Sequence, residues 1–140
     1  MIMNIRDMLF AATVAALSTS AIASDIKLKI ENVESDEGHL VIRTFDEAHA
    51  DGFPLGEELR EDRIKAEAGD IEFVIKALEA GTYAIGVYHD KDDSGALETN
   101  MLGAPREPVA NTGEKAFLKP KFEPSSFELK DGEVEVTARF

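Results

Sequence analysis

Apolar and polar residues alternate along most of this chain. In Asp25–Val33, Ile26, Leu28 and Ile30 share one side, while Lys27, Lys29 and Glu31 share the other. A period of two with β-branched residues predicts a half-buried strand. The same pattern recurs at His39–Phe45, more weakly at Arg63–Ala68, and again at Ile71–Leu78, Thr82–His89 and Glu133–Phe140. Shorter strands are expected at Glu114–Leu118 and Phe127–Leu129. Turn residues stand between these stretches. Glu34–Gly38 reads as a hairpin loop joining the first two strands, and Asp131-Gly132 is a strong hairpin-turn signal.

Three features interrupt the alternation. Gly86 inside its strand marks a bulge or a close backbone approach. Asp46–Arg60 is irregular, with a short helix expected around Glu57–Asp62. Pro120 confines its neighbourhood to an edge or a loop. About seven short strands with turns between them, and no amphipathic helix, predict an all-β protein. The expected architecture is an antiparallel Greek-key β-sandwich, immunoglobulin-like or transthyretin-like, with a small barrel as the alternative.

The N-terminal stretch departs from this pattern. Met1–Asp7 is short and polar with Arg6 as its cation, Met8–Leu17 is continuously apolar, and Ala21-Ile22-Ala23 is a small-x-small site. This is the layout of a secretory signal peptide over residues 1–23, leaving one β-sandwich domain over residues 24–140. The apolar run is too short for the ~20 residues that a spanning helix needs. The expectation is therefore an exported protein, periplasmic or extracellular, with no membrane insertion after cleavage. The chain has no cysteine, which removes disulfides, thiol catalysis and thiolate metal sites.

A net charge of −13 argues against nucleic acid, whose phosphates need clustered Lys or Arg. It suits solubility, cation binding or a basic partner. The acids concentrate after the strong strand, in Asp90, Asp92, Asp93 and Glu98. Oxygen-bearing side chains at Asp90, Asp92, Ser94 and Glu98, with Gly95 in the turn and the Ala96 carbonyl available, match the first half of an EF-hand-type calcium loop. The twelfth position is Met101 rather than a bidentate Glu, and the flanks are not helices. A calcium site here would need Asn100, Glu107, a distant carboxylate or water to complete its shell. The plainer reading is a strand end rich in Asp, Ser and Gly whose side chains cap their own backbone. Three acids within four positions repel one another, with Lys91 the only cation among them.

Val87-Tyr88-His89-Asp90, then Asp92, Gly95, Leu97-Glu98, Asn100, Gly103, Pro105 and Glu107, resemble a bacterial secreted family catalogued as domain of unknown function 2141. Pro120-Lys121-Phe122-Glu123 and Phe127 resemble its later segment. Where that family often continues Gly-Phe-Ser-Asn, this chain has Ala110-Asn111-Thr112-Gly113. The resemblance implies export and a β-sandwich, makes His89, Gly95, Gly103, Pro105 and Glu107 parts of one structural unit, and brings no established activity.

No nucleophile elbow, paired-histidine zinc motif or phosphate-cradling loop is present. His89 and Asp90 are neighbours on a strand and should point to opposite faces, which makes them poor acid–base partners. His89 is expected to pin the base of the loop through Glu107 or a carbonyl. Tyr83 and Tyr88 also fall on opposite faces, with one expected in the core and the other exposed. The leading reading is a non-enzymatic binding or accessory module with an acidic calcium-binding candidate loop, facing a protein or glycan partner. The alternatives are a carbohydrate-binding or hydrolytic protein using the His89/Asp90/Asp92/Glu98 rim, and a purely structural periplasmic domain.

Overall fold

The computed structural model describes residues 22–115 and 119–140. The signal-peptide stretch lies almost wholly outside them, and so does the end of the strand expected over Glu114–Leu118. Among the described residues, eight strands form two sheets. The strands are β1 (Ser24–Val33), β2 (His39–Asp46), β3 (Arg60–Lys65), β4 (Gly69–Leu78), β5 (Gly81–Asp90), β6 (Val109–Asn111), β7 (Phe127–Leu129) and β8 (Glu133–Arg139). One sheet has the order β4-β1-β8. The other has the order β3-β2-β5-β6, with β7 pairing the first part of the β5 edge that β6 also uses. The chain is an all-β sandwich.

The alternating residues do what their period requires. Ile26, Leu28, Ile30, Leu40, Ile42, Ile75, Ile85 and Val87 all point between the sheets and are almost fully buried. Each such side chain contributes about 1.5–3 kcal/mol on leaving water. Val134, Val136, Ala138 and Phe140 of the C-terminal stretch pack against the same core, as their alternation predicts.

Several local expectations are corrected. β1 and β2 are not a hairpin: β1 pairs β4 and β8, whereas β2 pairs β3 and β5. Asp131-Gly132 likewise joins strands of different sheets, β7 and β8. Both turns cross the sandwich, because the apolar faces of the strands they join meet across the core rather than side by side. β1 and β8 run parallel, so the fold is antiparallel except at this pair. The helix expected near Glu57–Asp62 is absent, since Arg60–Lys65 is edge strand β3. A 3₁₀ turn forms earlier, at Glu47–Gly52, where the Asp46 carboxylate accepts the His49 amide. The Pro120 region leads into one helical turn, Phe122–Ser125.

The outer face of the larger sheet is also covered, which alternation does not reveal. Phe45, Phe53, Ala84 and the partly buried Phe122 form a second small apolar cluster beneath the Asp46–Arg60 connection. Pro54 lies over Gly86, where an added Cβ would meet the proline Cβ at 3.3 Å, so the glycine marks a close approach. Tyr88 is buried on this face and Tyr83 in the main core, so neither tyrosine is exposed.

Candidate metal centre

β5 ends on the outer face of the larger sheet, and its last residue, Asp90, anchors the acidic loop. Asp90 is completely buried. Its Oδ1 accepts the Ser94 amide at 3.0 Å, and its Oδ2 accepts the Gly95 amide at 2.9 Å. Asp92 Oδ1 also accepts the Ser94 amide, at 3.1 Å. Ser94 Oγ donates to the Ala96 carbonyl at 3.0 Å. Gly95 has φ +78°, a left-handed conformation in which a side chain would be strained. The loop is thus wound around the Asp90 carboxylate by hydrogen bonds from its own backbone.

The counter-charge comes from across the sheet. Val41 of β2 pairs Arg63 of β3 on one side and Tyr88 of β5 on the other, which puts Arg63 and Asp90 on the same face. Arg63 Nη1 reaches Asp90 Oδ2 at 2.9 Å, and Nη2 reaches Asp93 Oδ1 at 3.0 Å. His39 Nδ1 also bonds Asp93. Lys91, the cation expected to offset the acids, turns away to Glu34 at 2.5 Å. Burial works to raise the Asp90 pKa, but the Gly95 amide and Arg63 outweigh it and hold this carboxyl below its usual range. The hydrogen bond from His39, followed by its charge and that of Arg63, likewise holds Asp93 low against the opposing effect of burial.

Glu107 is the exception among these acids. One carboxylate oxygen from each of Asp90, Asp92 and Glu107 lies within 4.8 Å of the other two. Glu107 Oε2 is buried and has no hydrogen-bond partner as a carboxylate. Among the described residues, Glu107 has no ion-pair partner. Burial, then the charges of Asp90, Asp92 and Glu98, push it up to about 7. When protonated, it can donate to Asp90, which adds to the rise.

The remaining sites expected from sequence are distributed around this trio. Glu98 acts on Glu107 through its charge, while its own Oε2 lies 3.9 Å from Arg106 Nη1. Asn100 faces the tip of the connection instead: its Oδ1 accepts the Leu102 and Ala104 amides at 2.9 and 3.0 Å. That frame closes with the Thr99–Pro105 bridge and the left-handed Gly103, and it leaves Met101 and Leu102 fully exposed. Replacing Asn100 by Ala should free the tip at a cost of about 1 kcal/mol. Faster amide hydrogen exchange at Leu102 and Ala104, with the rest of the sandwich unchanged, would report it. His89 points into the core side, is buried, and its Nε2 bonds the Glu37 carbonyl at 2.7 Å. It pins the β1–β2 connection beneath the acidic loop and stands apart from the carboxylates. Gly38 in that connection has φ +65°, and a Cβ there would lie 1.9 Å from the Asp90 carbonyl oxygen.

A family of uncharacterized proteins conserved in bacteria, DUF2141, matches residues 28–137. The chain belongs to this family. No curated protein and no solved structure matches it. The family match runs from β1 into β8, so both sheets and the whole acidic connection lie within the family's extent. Ala110-Asn111-Thr112-Gly113 has a structural part here. Val109–Asn111 is β6, and the buried Thr112 exchanges main-chain and hydroxyl bonds with Ile85 while its Oγ1 donates to the Ser125 carbonyl at 2.7 Å. Arg63, His39 and Gly38 carry no signal in the sequence that marks them as parts of this site. The alternation around Arg63 places it on the face of Asp90 only once the order β3-β2-β5 is known.

Proposed function

We propose that this protein is an exported, non-enzymatic binding or accessory module whose acidic connection is completed by a calcium ion. The observation that carries the reading is the convergence of Asp90, Asp92 and Glu107 oxygens within 4.8 Å of one another. Calcium holds oxygens at 2.3–2.6 Å, so ligands on its opposite sides stand about that far apart. Glu107 supplies the carboxylate that the twelfth loop position, Met101, lacks. Asp90 Oδ2 is taken up by both Gly95 and Arg63, so Oδ1, which accepts the Ser94 amide, is the Asp90 oxygen with a lone pair to offer the ion. Carbonyl oxygens and water would fill the remaining positions, and Arg63 lowers the affinity that three free acids would give. The secretory layout of residues 1–23 supports export.

The rim reading as a hydrolase is less favoured, because His89 and Asp90 lie on opposite faces and His89 is occupied by the Glu37 carbonyl. Terbium luminescence, sensitised through Tyr88 beside the site, tests the calcium reading directly. A saturable signal displaced by calcium, and lost in Asp92→Asn, is expected. A signal that calcium does not displace would refute it.

A further inference from the structure

A second site lies on the other side of the same connection, at the seam where the edge strands β6 and β8 approach one another. A concave cavity of about 800 Å³ opens there, within the size range of small-molecule sites. Part of its wall is apolar, from Leu55, Leu102, Pro105 and Val109. Another part is cationic, from Lys115 and Lys119. Arg139 also lines it, but its charge is committed to Glu31, with Nε at 2.6 Å. Among the described residues, Lys115 and Lys119 form no ion pair, and no acidic side chain lines the cavity.

That wall runs against the composition of the chain. Asp and Glu number 28 against 15 Lys and Arg, so an arbitrary depression would carry more acids than bases. The apolar side is built rather than loose, because Asn100 fixes the turn that carries Leu102, Gly103 and Ala104. Leu102 is 93% exposed, so a ligand covering it would remove apolar surface from water without rearranging the protein.

We propose that this cavity binds a small, free amphiphilic anion: an alkyl chain carrying a carboxylate head. The chain lies against Leu102, Leu55 and Val109, and the head meets Lys115 and Lys119. The overall charge of −13 makes this proposal sharp. Long-range attraction would favour a cationic amphiphile here, and unspecific apolar adhesion would not tell the two heads apart. Only a local site would reverse that preference.

Titration of the full chain with decanoate below its micelle concentration, monitored by backbone NMR, tests it. Saturable shifts confined to Leu55, Leu102–Asn111, Lys115, Lys119 and Thr137–Arg139 are expected. Decanoate should bind at least about tenfold more tightly than decyltrimethylammonium. The Lys115→Glu, Lys119→Glu double variant should lose at least about tenfold, and the milder Lys115→Gln, Lys119→Gln pair should move in the same direction. Equal or tighter binding of the cationic amphiphile would overturn the proposal, as would unchanged affinity in the double variants. So would retention on phosphatidylglycerol vesicles without binding of soluble decanoate, or a shift of the same resonances with protein concentration alone, which would make a second copy the occupant.

Discussion

Replacing Glu107 by Gln should stabilise the calcium-free protein at pH 8 by up to about 3 kcal/mol, and by much less at pH 5. The folded state holds the Glu107 pKa at about 7, whereas its model value is 4.5. Between those values the folded protein binds a proton that the unfolded chain has released. Stability of the wild type therefore falls as pH rises through this window, and is lowest above pH 7, where the carboxylate must ionise beside Asp90, Asp92 and Glu98. Gln keeps the shape and can donate to Asp90 as the protonated acid does, with no charge to force in. Chemical denaturation at pH 5, 6, 7 and 8 in EDTA should show a falling wild-type curve and a flatter variant. Parallel curves for the two proteins would contradict the assignment.

The acidic limb has the opposite sign and a different source. Asp90 and Asp93 are held below their ordinary values, so the stability they contribute is present above the unfolded value near 3.8 and is lost as pH falls through their folded values. A calcium-free protein should accordingly be most stable at mildly acidic pH.

How far the sequence reveals this site depends on whether its parts are local. The inner faces of β1, β5 and β8 are legible because strand period and burial coincide at Ile26, Leu28, Ile30, Ile85 and Val87. The acidic loop is legible because Asp90, Asp92, Ser94 and Gly95 interact within six residues of chain. The sheet assignment of β1 and β2 is not, since a five-residue turn serves a hairpin or a crossing equally well. Nor is the buried outer face, where Tyr88 and Phe45 depend on the Phe53-Pro54 connection folding back over them. Glu107 is legible only as one of several ways to finish a shell. Its position is set by the Asn100 turn and by the His89 amide bonding the Pro108 carbonyl at 3.0 Å, contacts that no sequence period encodes. Lys91 shows the reverse error: adjacency suggests a counter-ion, but the strand end points it at Glu34.

Calcium should raise the stability of the wild-type protein by about 2.7 kcal/mol at ~1 mM free ion if the dissociation constant is near 10 µM. For a domain of this size that is a rise in Tm on the order of 10 °C. The increment should be larger at pH 8 than at pH 5, because the ion competes with the proton on Glu107, whose pKa is about 7. The structure decides which variants test this cleanly. Asp90→Asn would remove the charge that neutralises Arg63 and weaken the loop's own hydrogen bonds, so a lost calcium response there would be ambiguous. Asp92 is exposed, and the hydrogen bond it accepts from the Ser94 amide survives in Asn. Asp92→Asn and Glu107→Gln should therefore keep the fold and abolish most of the calcium shift. Magnesium at the same concentration should do far less, because it demands near-octahedral geometry and sheds water reluctantly. Equal shifts from both ions would reduce the effect to screening of a highly charged surface, and no shift with either would leave Glu107 to be neutralised by its proton alone.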